Sequence, residues 1–210
     1  MKFRRKADPT PVAEDTSEET ADATAGPAAG SGPFDVSQVE GDGIERADLG
    51  SVLVPAIAER ELRLQVDEQS GQVRAVMLAG SDGACEFQAF AAPRNGDLWS
   101  EVRPQIVEDM ARRGGNATER EGRWGTELVC QMPVRRPDGT TATQPSRIIG
   151  VNGERWMLRA SFLGRPAVDP DATTEWEDAL AQIVVRRGEQ AMPVGEPLPV
   201  TLPDDARRVR

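Results

Sequence analysis

Between residues 46 and 186 the apolar positions follow two periods, and the switches between them outline a fold. Leu62, Leu64 and Val66 alternate with Arg63 and Gln65, the pattern of a half-buried strand. In Val73–Ala79 nearly every residue is apolar, as in a central strand. Cys85, Phe87 and Ala89 return to period two. With turns at Asp67–Gly71 and Gly80–Gly83, these three runs predict an antiparallel meander. The chain turns at Pro93–Gly96 and changes period. Asp97 is placed as an N-cap, Leu98, Val102, Ile106 and Met110 recur at spacing four, and Gly114-Gly115 closes the helix. Pro104 falls inside that helix, where a missing N–H and ring crowding cost about 3 kcal/mol. The expectation there is a kink, or one turn followed by a second helix starting near Arg103.

Past Gly115 the strand pattern resumes. Asn116–Glu121 is counted as a strand, and Leu128, Cys130 and Met132 alternate in the next one. Arg136-Pro-Asp-Gly139 is a turn, leading to Thr140–Val151. Asn152-Gly153 is the sharpest two-residue hairpin signal in the chain, with Trp156, Leu158, Ala160 and Phe162 on one face of the returning strand. Asp169-Pro170 opens a second helix, with Trp176, Leu180 and Ile183 on its buried face, and Ile183–Arg186 closes as a short strand. Upstream, Val52 and Val54 mark an extended arm or short strand ended by Pro55. The proline-spaced run Met192–Pro203 reads as an extended arm laid on the body. The fold class is therefore α+β: a single domain over 44–188, mainly antiparallel sheet of about seven strands with two helices packed on it. By layout it is similar to the Mog1/PsbP α/β/α sandwich. Residues 1–43 form a disordered tail and 189–210 an extended C-terminal arm.

Charge sharpens this division. Lys2, Arg4, Arg5 and Lys6 open the chain, and residues 7–45 then carry ten acids and no base. From Arg46 onward 21 bases face 25 acids, so the body is near neutral and presents no broad nucleic-acid surface. A segment rich in Ala, Thr, Glu, Asp, Gly and Pro without apolar period cannot bury enough surface to order itself. It reads as a solvating linker, or as a regulated tail in which Thr16, Ser17 and Thr20 among acids would accept phosphate. Phe3 in its basic cluster gives at most weak peripheral membrane contact through Lys2–Lys6. No apolar run behind that cluster forms a secretory signal or a span, and the expected compartment is the cytoplasm, with Cys85 and Cys130 as reduced thiols.

The missing residue types restrict the chemistry. The chain has no His and no Tyr, and Lys occurs only at positions 2 and 6. That removes the usual general base, the Ser-His-acid triad, imidazole zinc sites and a buried Schiff-base lysine. Two cysteines cannot make a four-thiolate site, and without a neighbouring base they read as core thiols. No catalytic residue, metal ligand or cofactor is assigned. An enzyme built on paired carboxylates such as Glu108-Asp109, Glu119/Glu121 or Glu175/Asp178 stays open, though exposed acids in a helix's first turns ordinarily serve its dipole.

Several blocks are similar to an actinobacterial domain-of-unknown-function family (DUF3710-like). They are Arg46–Pro55, Gln88–Val102, Gly125–Leu128 and Gln144–Pro170, and the resemblance spans roughly residues 33 to 203. It implies a soluble bacterial protein with a charged, variable tail, and it brings no activity or site residue with it.

Six residues are candidates for ligand or partner binding. Arg94, Asn95 and Trp99 bracket the turn into the first helix, where free N–H groups and a guanidinium would suit an anion, although Asp97 competes for those donors and the favoured reading is a capped turn with Trp99 stapled to the core. Trp124, beside Arg123, is either an exposed interface anchor or a ring folded back onto the body. Arg159 and Arg165 would join Arg94 if the fold brought the three into one pocket. The reading that follows is a non-catalytic protein-interaction module with a regulatory tail and an unknown protein partner. The alternative is a small-molecule or anion-binding domain using Arg94, Arg159 and Arg165.

Overall fold

The computed structural model describes residues 32–67 and 73–202. The basic cluster Lys2–Lys6, Thr16, Ser17, Thr20 and most of the turn expected at Asp67–Gly71 lie outside them. Eleven strands and two α-helices follow in the order β1 (Phe34–Asp35), β2 (Arg46–Asp48), β3 (Val52–Pro55), β4 (Glu61–Val66), β5 (Val73–Ala79), β6 (Gly83–Ala91), α1 (Leu98–Arg112), β7 (Asn116–Gly122), β8 (Gly125–Arg135), β9 (Thr141–Asn152), β10 (Trp156–Gly164), α2 (Pro170–Ala181) and β11 (Val184–Val185). Seven strands form one antiparallel sheet in the order β4-β5-β6-β10-β9-β8-β7, as the two meanders predict. A second, four-stranded sheet has the order β1-β11-β3-β2, with β1 and β11 parallel.

Alternation along the strands assigns the two faces of the large sheet. Phe87 and Ala89 of β6, Ile149 of β9 and Trp156, Leu158, Ala160 and Phe162 of β10 bury with Trp176 and Leu180 of α2 and with Leu49, Val52 and Val185 of the small sheet. The opposite face, with Leu128 and Cys130 of β8 and Ile148 of β9, buries Leu98 and Trp99 of α1, flanked by Val102, Ile106 and Met110. The result is three layers: α1, the large sheet, and α2 with the small sheet.

Pro104 does not break α1, which runs unbroken from Leu98 to Arg112. Pro104 and Ser100, whose carbonyl would have received the missing N–H, are both exposed, so water can replace that bond. The half-buried stripe on the other side holds the helix together.

The small sheet is foreseen in part: Val52/Val54 and Ile183–Arg186 mark β3 and β11, but not β1 or the way these strands pair. Its β1 falls within the stretch assigned to the tail, and Phe34 N–H donates to the Ile183 carbonyl at 3.0 Å. Asp35 closes a capping box with Gln38 and accepts from Trp156 Nε1 at 2.9 Å, so the lead-in is tied to the core of the large sheet. The C-terminal arm also joins the fold. Gly195 N–H donates to Ala91 O and Leu198 N–H to Ala89 O, along the part of β6 beyond its pairing with β5. Thr201 N–H then reaches Leu49 O, strapping the large sheet to the small one.

Candidate functional site

The hairpin at Asn152-Gly153 forms, but its tight turn lies two residues further on. Gly153 N–H donates to Trp156 O at 2.7 Å, leaving Glu154 and Arg155 at the tip. Gly153 is needed because a Cβ there would sit 2.1 Å from the Trp156 ring. Asn152 is thereby freed to brace the start of α1: its Nδ2 donates to Asp97 Oδ1 at 2.7 Å, and its Oδ1 accepts from Trp99 N–H at 3.3 Å. Asp97 also accepts from Ser100 N–H at 3.0 Å and Ser100 Oγ at 2.5 Å. Two of the helix donors that would suit an anion, the Trp99 and Ser100 N–H groups, are therefore engaged by the protein.

Burial tends to raise the Asp97 pKa, but the Ser100 bonds, Asn152 and the Arg103 charge hold it below the usual carboxylate value near 3.8. Asp35 is lowered likewise, against burial, by Ser37 and Trp156. Because these pKa values are depressed in the folded state, their stabilisation is intact above the ordinary value and disappears as pH falls through the folded one. The melting temperature should thus decline on acidification below about pH 4. Asp97→Asn should lower it at neutral pH and shrink the acid decline, as a series of thermal melts from pH 7 to pH 2 would measure.

The six candidate residues are distributed over four places. Arg94 and Asn95 are exposed beside this braced turn, with Arg94 Nε 3.9 Å from Glu154. Trp99 is buried at 3% exposure; its Nε1–H donates to Thr126 O at 2.6 Å and its ring lies on Gly150. Trp124, at the β7–β8 turn, packs against the opposite core and donates from Nε1 to Gly32 O at 2.6 Å, with Arg123 5.0 Å over its ring. Arg165 is exposed beyond the end of β10, held by Asp169 at 2.6 Å and Asp82 at 4.0 Å. Arg94 and Arg165 lie past opposite ends of the paired β6 and β10, whose nine residues each separate them by roughly 30 Å. The three arginines do not share a pocket.

Arg159 is different. It sits midway along β10, on the face of the sheet that carries α1. That helix lies over β7, β8 and β9, and its first turn reaches Phe90 and Met157. Across β10, β6, β5 and β4, no helix among the described residues covers the rest of this face. There Arg159 is half-buried, its guanidinium 5.1 Å over the Phe90 ring, with a 3.5 Å contact to Gln88 Oε1. It has no carboxylate within ion-pair reach among the described residues. Burial lowers its pKa from the usual guanidinium value, offset in part by the more distant Glu86.

Two clusters escaped the sequence reading. Arg147 is 1% exposed, with Nε 3.3 Å from Glu127 and Nη2 bonded to Glu177 of α2, while Arg120 donates to Glu127 at 2.9 and 2.5 Å. Arg147 shares strand parity with Ile149 and Val151, and that parity was the available signal that it points inward. The other cluster is Arg60 stacked 4.1 Å over the fully buried Trp176. Arg60 borders a shallow, open groove of about 460 Å³ shared with Glu59, Glu61, Arg63 and Gly80-Ser81. Both its arginines already face acids, Glu175 at 3.7 Å and Glu61 at 2.6 Å. Cys85 and Cys130 are buried on opposite faces of the large sheet, their pKa values raised by desolvation, which leaves them poor nucleophiles.

A family described as "Protein of unknown function (DUF3710)" matches residues 32–209, a span that includes every described residue. No curated protein matches the chain. Among solved structures, a crystal structure from Bacteroides thetaiotaomicron VPI-5482 is similar at 14% identity with a TM-score of 0.40, over 68% of this chain. The match spans 47% of that protein, about half its length, and is too loose to carry an argument.

Proposed function

Since the chain belongs to the DUF3710 family, whose description names no activity, we propose a role from the geometry: a non-catalytic module that binds an acidic patch of a protein partner on the uncovered part of its sheet. The observation that carries this reading is Arg159, a half-buried guanidinium without a carboxylate on the face that α1 leaves open. Partly burying an unpaired charge is unfavourable, and a partner's carboxylate would relieve that cost. Arginine at the centre of a desolvated patch is also a common interface anchor. The scarcity of general bases and the buried thiols support binding over chemistry. A cytoplasmic, bacterial setting and a regulatory role for the acidic leader belong to the same proposal; two cysteines kept as free thiols support the compartment.

The test is crosslinked capture in the native cell with wild type, Arg159→Leu and Arg94→Ala. Arg159→Leu keeps an apolar stem over Phe90 and should reduce recovery of the partner about tenfold or more, equivalent to at least about 1.4 kcal/mol. Arg94→Ala should leave recovery unchanged. Identical partners at identical yield from Arg159→Leu and wild type would remove the proposal. A pocket using Arg94, Arg159 and Arg165 together has less support, because each outer arginine sits at its own end of the sheet beside an acid.

A further inference from the structure

The two edges of the large sheet are built differently. β7, Asn116-Ala-Thr-Glu-Arg-Glu-Gly122, is exposed at every residue except Ala117 and carries three consecutive charges, which oppose strand addition. β4, Glu61-Leu-Arg-Leu-Gln-Val66, has no proline, glycine or lysine, and its pairing with β5 is regular until Gln65/Val66. Leu62 and Leu64 are half-buried against the core, and Glu61 and Arg63 stand exposed on the other face. The outer side of β4 pairs with no strand among the described residues. Unpaired N–H and C=O groups along such an edge are a template for another strand.

The charges on β4 indicate which strand. Two identical strands related by a two-fold axis pair antiparallel, so if residue i faces j, then j faces i, and both lie on one face. Centred on Arg63, the pairing would set two guanidiniums together. Centred on Leu64, it would face Arg63 with the neutral Gln65 and place Glu61 beyond the end of the partner's strand. Centred on Leu62, Glu61 of each copy faces Arg63 of the other, and Leu62 meets Leu62. Glu61 and Arg63 are already bonded within one strand, Nη2 to Oε2 at 2.6 Å and Nε to Oε2 at 3.0 Å. The Leu62 register extends that bond into a ring of four alternating charges, the favourable arrangement for cross-strand neighbours.

We infer that two copies of this chain associate through β4 in the Leu62-centred register, joining their seven-stranded sheets edge to edge. The association does not depend on the role given to Arg159, but it has a consequence for that role. The uncovered parts of the two sheets become contiguous, with the two Arg159 side chains seven strand spacings, about 34 Å, apart. One dimer would then present its acidic partner with two equivalent anchors on one surface, and tethered sites gain avidity without new contacts.

Sedimentation equilibrium on the full chain, across micromolar concentrations at low salt, tests this with four proteins. Wild type should show a monomer–dimer equilibrium. Glu61→Arg and Arg63→Glu should each weaken it at least tenfold by placing like charges opposite each other. The double exchange Glu61→Arg/Arg63→Glu should return the dissociation constant to within about threefold of wild type. Both side chains are more than half exposed, so the variants should fold, and unchanged melting temperatures would verify that. A wild type that stays monomeric throughout, single variants that associate as well as wild type, or a double exchange no better than the singles would each overturn the inference. Arg159→Leu, run alongside, should dimerise normally while losing its partner, so the two proposals fail separately.

Discussion

Arg147→Met should destabilise the domain by about 3–5 kcal/mol, because it strands the buried Glu127 and the half-buried Glu177 on either side of the vacated position. Glu127 is 2% exposed and would keep only Arg120, whose guanidinium comes from the more exposed side. Glu177 would lose the one charged partner it has among the described residues, between α2 and the sheet. Methionine would fill the stem's volume beside Phe162, over which the guanidinium now lies at 4.8 Å, so little of the loss would be a cavity. For a domain of this size the melting temperature should fall by about 2–4 °C per kcal/mol. Urea unfolding measures the loss directly. Arg147→Met/Glu127→Leu/Glu177→Leu should recover most of it, since well-packed apolar residues commonly replace buried ion pairs without loss. If the triple variant is no more stable than the single one, stranded charge is not the cause.

The same residue shows where the sequence could be read and where it could not. Strand alternation identified β4, β6, β8 and β10, because Leu62/Leu64, Cys85/Phe87/Ala89, Leu128/Cys130 and Trp156/Leu158/Ala160/Phe162 each belong to strands with two chemically different faces. β5 showed as a continuous apolar run, and β7 and β9 by their place between turns. The caps at Asp97 and Asp169 were legible for a local reason: each side chain accepts from a backbone N–H two or three residues ahead. Arg147 breaks the pattern on its own strand. Its inward parity is satisfied only by Glu127 and Glu177, 20 and 30 residues away, and no local rule reports such a partner. The small sheet was legible only in part. Val52/Val54 and Ile183–Arg186 marked β3 and β11, but β1 and β2 are two and three residues long, too short to display a period, and β1 pairs with β11 150 residues away. The candidate site divides along the same line. That Arg165 faces Asp169 four residues on is a local matter, but Arg94 meets Glu154 sixty residues away, and the separation of the two arginines is set by the antiparallel register of β6 and β10.

Position in the first turn of α1 likewise decides what Trp99 does. As sequence it stood beside Arg94 and Asn95 as a possible ligand contact; in the fold it is the peg that fixes α1 to the sheet. Its ring lies where the side chain of residue 150 would be: a Cβ on Gly150 would come within 2.3 Å of the indole, and the indole N–H is taken by Thr126 O. Trp99→Ala should therefore cost about 3–5 kcal/mol in cavity and lost contacts. Trp99→Phe, which drops the N–H bond and part of the ring, should cost about 1–3 kcal/mol, since Thr126 O loses this bond in a part-buried setting. Gly150→Ala should cost about 1–3 kcal/mol by overpacking, because the ring is wedged between helix and sheet. The decisive measurement is the double variant in a denaturant cycle. If ring and glycine occupy one space, removing the ring makes room for the methyl, and Trp99→Ala/Gly150→Ala should lose at least about 1 kcal/mol less than the two single losses together. Strict additivity would mean that Gly150 serves the backbone of β9 and leaves the docking of α1 to other contacts.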